Sequence, residues 1–405
     1  MIENQNPFQV LNFAPTNKKK VLLRGPVLTQ SGYGVHARQV AKWLLSREDI
    51  DLQVQALPWG DTPWLIDKNA DEGFVGQLME RTVDPTGVNY DLSVQLQLPN
   101  EWDPKLAKKN IGITAGVETD ICNPAWIGNC NAMSAIIVPS NHTANCFKKT
   151  GNITAPLHVI PEAYSEAIVE NKITKIDSHK FSTPFNFLFF GQITGSNPEN
   201  DRKNFFYTIK WFCENFSHDD EVGLVIKTNA GRNTKIDRKV VVQMLTGLLG
   251  EVRKESLPKI HLLHGDMDDH EIASLYRHKQ IKALVSITRG EGYGLPILEA
   301  AASGLPVIAT GWSGHMDFMS RGKFVNVSYK LDKIHPSRID SNIFMQNSQW
   351  AHPHEDDFKK KITKFRNNPE IPQQWAKELQ EIILENYSLK MIRKNYDDVL
   401  GDFFK

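Results

Sequence analysis

The residues with the clearest chemistry lie in one stretch, Thr288 to Ala302, TRGEGYGLPILEAAA. An apolar run, Ala283 to Ile287, precedes it and is long enough for one buried strand. Gly290-Glu291-Gly292-Tyr293-Gly294 continues neither strand nor helix. Leu295 to Ala302 then reads as a helix, with Pro296 suited to its first position. Strand, glycine turn and helix bring bare backbone N–H groups and the positive end of a helix dipole to one point, which makes an anion site. Two carboxylates flank it, Glu291 in the turn and Glu299 one turn into the helix. A carboxylate is repelled by phosphate and is better suited to accept hydrogen bonds from sugar hydroxyls. The stretch suits a ligand that carries both phosphate and sugar. An ordinary strand-to-helix turn is the competing reading.

The elements that would position such a site recur along the chain. After a polar segment over residues 1–20, read as a solvated tail, Val21-Leu22-Leu23 opens a first strand. Gly32-Tyr33-Gly34 forms a turn, and the next helix carries Ala37, Val40, Ala41 and Leu44 on one face. Short strands follow at 53–57, 92–98, 110–114, 135–138 and 157–160, with room for helices between them. This alternation predicts a mainly parallel sheet covered on both faces. Residues 165–183 are polar without a clear period and read as a linker. The alternation restarts at Phe185 to Phe190 and runs through strands at 222–226 and 260–263. The loop Pro58 to Trp64 interrupts the first half, and its two tryptophans read equally well as cleft-lining or as packing residues.

Composition narrows the class. At 405 residues the chain is too long for one typical domain, and two of roughly 150–200 residues are the natural expectation. Lys+Arg and Asp+Glu both number 47, and a zero net charge argues against a domain built mainly to hold nucleic acid. No secretory signal and no apolar run approaching ~18 residues is visible, so a cytoplasmic location is expected. Cys122, Cys130, Cys146 and Cys213 lack C-x-x-C spacing, which favours reduced thiols over zinc or disulfides.

The order Glu, Gly, aromatic, Gly, Leu, Pro, two residues, Glu, Ala, with seven residues between the glutamates, resembles the signature of retaining glycosyltransferases of the GT-B fold, in particular family 4. Gly304 to Thr310 and Ser313-Gly314-His315-Met316-Asp317-Phe318 are similar to that family as well. The resemblance implies an α/β architecture of two Rossmann-like domains facing across a cleft. It assigns residues 1–170 to the acceptor side and 184–386 to the nucleotide-sugar side. A C-terminal helix over 387–405 crosses back to the first domain, with Tyr396, Val399, Leu400 and Phe403 as its apolar face.

The same resemblance implies roles. Glu299 accepts bonds from the ribose hydroxyls, and Glu291 lies beside the transferred sugar. The amides of Tyr293, Gly294 and Leu295 face the phosphates, and Lys203 in Asp201-Arg202-Lys203-Asn204 binds them. Related enzymes also carry an Arg where this chain has Gln192, and Lys227 is the candidate to supply the missing charge. Gly34 falls in the first glycine loop, which approaches donor phosphate and acceptor. Glu118 is a candidate sugar contact or a helix cap, and Met267 falls where the nucleobase is held. Asp266-Met267-Asp268 spells the D-x-D of metal-dependent transferases, but it precedes a helix, and Asp268 or Asp269 is a natural N-cap. No metal or other cofactor is expected, and the nucleotide sugar is a co-substrate. The acceptor is left open between glycan, lipid-linked sugar (with peripheral membrane contact) and nucleic acid, and so is the oligomeric state. Two further readings stay open: a DNA-modifying sugar transferase of viral type, and a GT-B protein that binds a sugar nucleotide without transferring it.

Overall fold

The computed structural model describes residues 18–195 and 197–405. Most of the expected N-terminal tail lies outside these residues. The first strand begins at Lys19, earlier than the apolar run alone suggests, because Lys19 and Lys20 already pair in register with Ile50 and Asp51.

Two six-stranded sheets organise the chain. The first contains β1 (Lys19–Gly25), β2 (Ile50–Ala56), β3 (Tyr90–Leu96), β4 (Ala107–Ile113), β5 (Ala135–Val138) and β6 (Leu157–Val159), in the order β2-β1-β3-β4-β5-β6. The second contains β7 (Phe185–Phe190), β8 (Val222–Thr228), β9 (Lys259–His264), β10 (Ile281–Ser286), β11 (Val307–Thr310) and β12 (Val325–Val327), in the order β12-β11-β10-β7-β8-β9. Every pairing within both sheets is parallel. Parallel strands need helices on both faces, which is why β7 reads FNFLFF without alternation. In each sheet the strand order reverses once, at β1/β3 and at β7/β10. Such a reversal opens a crevice at the carboxyl ends of the strands, where ligands bind in this architecture.

The chain's end returns to the first domain. Helix Leu389–Leu400 buries Leu389, Ile392, Tyr396 and Leu400 in the core formed with β1 to β4. Tyr396 stacks on Trp43 at 4.7 Å, and Asp397 accepts the Trp43 indole N–H at 2.9 Å. The polar segment 165–183 is not structureless. It holds two short helical turns, Ala167–Glu170 and Lys175–Ser178, with Ile168 and Phe181 buried in the second domain's core.

A hairpin that periodicity did not predict pairs β13 (Tyr329–Lys333) with β14 (Gln349–Pro353), antiparallel. The hairpin and the segment joining its strands bridge the domains. Ile334, Phe344 and Trp350 bury among Trp102, Val117 and Trp126 of the first domain. The Asp120 N–H donates to the Gln349 carbonyl at 3.0 Å.

Candidate functional site

The second sheet's switch point gathers the charged residues. The loop after β7 holds Asp201-Arg202-Lys203-Asn204, and the loop after β10 holds Thr288 to Gly294. Asp201 turns the first loop into a helix by accepting from the Thr194 hydroxyl (2.8 Å) and the Phe205 N–H (2.5 Å). Asn204 takes a positive φ of 56°, a conformation that Asn tolerates. The loops are then laced together. The Arg289 N–H donates to the Arg202 carbonyl at 2.8 Å, and the Asn204 amide donates to the Ile287 carbonyl at 3.0 Å.

This lacing brings Lys203 onto Glu291. Lys203 Nζ donates to both carboxylate oxygens, at 2.7 and 2.8 Å. Arg202 Nη1 adds a contact at 3.3 Å to the same carboxylate and donates to the Gly290 carbonyl at 2.7 Å. Burial alone would raise the Glu291 carboxyl, but Lys203 and Arg202 outweigh it and bring it down to about 2. Burial lowers Lys203 in spite of its partner. The cluster is a buried ion pair with a second cation, and it depends on its geometry for stability.

Above it, the turn feeds the helix Leu295–Ala302. Gly294 sits at φ 103°, which only glycine adopts cheaply, and it carries no side chain to cap the helix. Leu295 is the first helical residue and Pro296 the second. Among the described residues the N–H groups of Tyr293, Gly294 and Leu295 have no hydrogen-bond acceptor, as expected for an uncapped helix start. Tyr293 itself points away into the core. Its hydroxyl donates to the Glu162 carbonyl at 2.8 Å, and its ring packs on Phe318. One turn on, Glu299 accepts, among the described residues, only from the Tyr276 hydroxyl, at 3.3 Å. Burial, with Asp269 nearby, pushes its carboxyl up to about 8. No cation pairs with it among the described residues.

The other sequence candidates are spread around this centre. Lys227, at the end of β8, donates to Asn229 Oδ1 at 2.6 Å and to the Gly265 carbonyl at 2.7 Å, away from Glu291. Burial lowers it to about 8. Met267 packs, partly buried, against the core of the second domain. Asp268 is the N-cap of helix Asp269–Tyr276, accepting from the Glu271 N–H at 2.8 Å. Glu118 caps no helix; it faces Arg202 Nε at 3.3 Å across the domain boundary. Gly34 lies in the first turn of helix Gly32–Leu45, with its N–H committed to Ser31 Oγ at 2.9 Å.

Several neighbours of Glu291 were given no role from the sequence. Arg202 is the main one: it stands in the same four-residue string as Lys203, and that adjacency was the available signal. Ser313 Oγ accepts the Glu291 N–H at 2.8 Å, and buried His315 donates from Nε2 to the Thr310 carbonyl at 2.7 Å. The first domain closes on the same loop. Ser140 Oγ donates to the Gly292 carbonyl at 2.7 Å, and Asp317 accepts from the Asn141 N–H at 2.7 Å. A Cβ on Gly290 would lie 2.1 Å from the Glu118 carbonyl oxygen, so only glycine permits this approach.

Comparison with known proteins bears on the fold and on one segment of the second domain. Residues 244–335, which include both glutamates, match the family model for glycosyl transferases group 1. No curated protein matches the sequence significantly. Among solved structures, HepE of Anabaena in complex with UDP-glucose aligns with a TM-score of 0.60 at 13% identity, over 95% of this chain and 100% of that one. A glycosyltransferase of Rickettsia africae aligns with a TM-score of 0.63 at 14% identity, over 96% and 99%. Sucrose-phosphate synthase of Thermosynechococcus elongatus aligns with a TM-score of 0.59 at 12% identity, over 96% and 99%. At such identities the likeness establishes the fold. The chain has a GT-B fold, and a segment of its second domain matches the glycosyl transferases group 1 model.

Proposed function

We propose that this chain transfers a sugar from a nucleoside diphosphate sugar to an acceptor hydroxyl, with retention at the anomeric carbon and without a metal. The observation that carries the reading is Lys203 held on both oxygens of Glu291, beside three N–H groups at a helix start that have no acceptor among the described residues. Transfer breaks the bond between the anomeric carbon and the diphosphate oxygen, so negative charge grows on the leaving group. Fixed cations and oriented N–H groups offset such charge without reorganising. Lys203 and Arg202 supply the cations, and Lys227 stands further along the same sheet edge.

Glu291 is a poor nucleophile in this setting, because two cations hold its carboxyl near 2. This favours a same-face displacement over a covalent glycosyl-enzyme. The acceptor oxygen bonds to the anomeric carbon, and its proton passes to the departing diphosphate. Glu291 and Glu299 then serve as acceptors for hydroxyls of the sugar and the ribose, respectively. No helix among the described residues is long and apolar enough to cross a membrane. The four cysteines are buried and free, which accords with a reducing compartment such as the cytoplasm.

A thermal-shift screen with UDP-, GDP- and ADP-glucose tests donor binding, since a ligand of the folded state raises its melting temperature. UDP-glucose is the first probe, given its place in the HepE complex. Product NMR then reads the anomeric configuration, and inversion overturns the retaining assignment. Turnover is expected to survive EDTA. Complete loss in EDTA, restored by magnesium or manganese, overturns the assignment of charge stabilisation to lysine and arginine.

A further inference from the structure

The geometry points to an acceptor subsite on the aromatic turn Trp59–Trp64, built for an uncharged glycan. This inference rests on the glycosyltransferase reading and names the acceptor class for it. The turn belongs to the segment that leaves β2, and it is laced onto the loop after β1. The Gln30 N–H donates to the Pro63 carbonyl at 3.0 Å, and the Leu65 N–H donates to the Leu28 carbonyl at 2.7 Å. Trp64 forms an antiparallel bridge with Thr29. The turn therefore sits at the first sheet's carboxyl edge, at its own switch point.

Contacts link it step by step to the donor loop. Trp59 stacks flat on Tyr33, with centroids 3.8 Å apart and planes 17° apart. The Tyr33 hydroxyl meets Thr114 Oγ1 at 2.9 Å and accepts the Ala115 N–H at 3.1 Å. The Ala115 carbonyl in turn packs against Gly292, next to Glu291. Across the cleft, Asp61 lies 4.0 Å from Arg232, in the loop that follows β8. The turn thus spans from the first domain's edge towards the second domain's.

Exposure and charge define the occupant. Trp64 is 44% exposed and Ile66 is 74% exposed. Neither Trp59 nor Trp64 belongs to the hydrophobic core beneath. Trp64 and Ile66 lie two residues apart and form an exposed apolar patch beside the cleft, the kind of surface that ligands cover. A flat indole face suits the C–H face of a pyranose ring, and the indole N–H can meet a hydroxyl. Aromatic faces also stack nucleobases, but nucleic-acid sites pair them with a basic track. Here the surrounding segment carries Asp61, Asp67, Asp71 and Glu72 against Lys68. Of the neighbouring bases, Lys42 is engaged with Asp71 at 2.9 Å and Arg232 lies near Asp61. Neither sign dominates this rim, so it offers no basic track for phosphodiesters or anionic lipid headgroups, and a neutral sugar needs none.

The full chain is applied to a printed array of neutral and acidic glycans, in parallel with duplex DNA and phosphatidylserine vesicles. Variants Trp59→Ala, Trp59→Phe, Trp64→Ala and Trp64→Phe are compared with the parent. The UDP-glucose thermal shift of each variant reports folding and donor binding separately. The expected result is binding to neutral glycans, weakened about tenfold or more by each Ala change and largely kept by each Phe change. Glycan binding unaffected by the Ala variants overturns the proposal. So does stronger binding to DNA, acidic glycans or vesicles, or no glycan signal from a protein that UDP-glucose still stabilises. Absence of any nucleotide-sugar shift in the parent chain instead counts against the glycosyltransferase reading itself.

Discussion

Glu291 and Glu299 stand on one strand–turn–helix unit, yet their surroundings are opposite. Glu291 is buried against Lys203 and Arg202 and is held ionised, near 2. Glu299 has a tyrosine hydroxyl for company, and burial lifts it to about 8. Both carboxylates come from the same short motif, so the difference arises from what the rest of the fold brings up to them. The β7 loop carries its cations to Glu291. The neighbour of Glu299, helix Asp269–Tyr276, begins with Asp269 and brings no cation. One carboxylate is charge-compensated and fixed. The other is left to be compensated by what binds it, and two vicinal hydroxyl donors suit that need.

The largest expected effect comes from breaking the compensated half. Lys203→Ala leaves Glu291 buried with Arg202 alone, a loss of about 3 kcal/mol in folding stability. Turnover should fall more than donor affinity, since diphosphate charge grows towards the transition state. Denaturant melts and steady-state kinetics check both. Adding Glu291→Gln should restore part of the lost stability. A double variant as unstable as the two single losses summed would break the pairing argument.

The uncompensated half predicts a pH dependence. A carboxyl raised from 4.5 to about 8 prefers its protonated form in the folded protein. Binding hydroxyl donors to the ionised form then requires loss of a proton below about 8. UDP affinity should therefore rise with pH, by at most about tenfold per unit, and level off above 8. Glu299→Gln should flatten that slope. A slope that survives in the variant would move the titration to another group, with buried Glu162, also raised to about 8, the first to examine.

A smaller effect is expected at Lys227, whose Nζ is already engaged by Asn229 and the Gly265 carbonyl. Lys227→Ala should cost about 1 kcal/mol in turnover, within the range for a typical hydrogen bond. Combined with Lys203→Ala the losses should be non-additive if both cations serve one diphosphate. Additive losses in a kinetic double-mutant cycle would separate the two sites.

Much of this is legible in the sequence. The strand–turn–helix unit, both glutamates, Lys203 and the alternation of the two sheets follow from local pattern, because each is specified by residues close in sequence. The partners of those residues were not legible. Arg202 adjoins Lys203, but its contact with Glu291 depends on how the β7 and β10 loops meet. The hairpin β13–β14 has no fully buried position in its first strand and no clean alternation, so the burial of Ile334, Phe344 and Trp350 against Trp102 and Trp126 shows only in the folded chain. The closure of Ser140 onto Gly292 likewise depends on how the domains meet, which no window of sequence contains.

The central claim, that one glutamate serves the sugar and the other the ribose, is tested most directly by calorimetry. Glu291→Gln and Glu299→Gln are each titrated with UDP and with UDP-glucose, in protein shown to be folded. Glu299→Gln should weaken both ligands alike, by roughly 1–3 kcal/mol for charge-assisted bonds. Glu291→Gln should weaken UDP-glucose and leave UDP nearly unchanged. Equal weakening of UDP by both variants, or no change in UDP-glucose binding by either, would contradict the account.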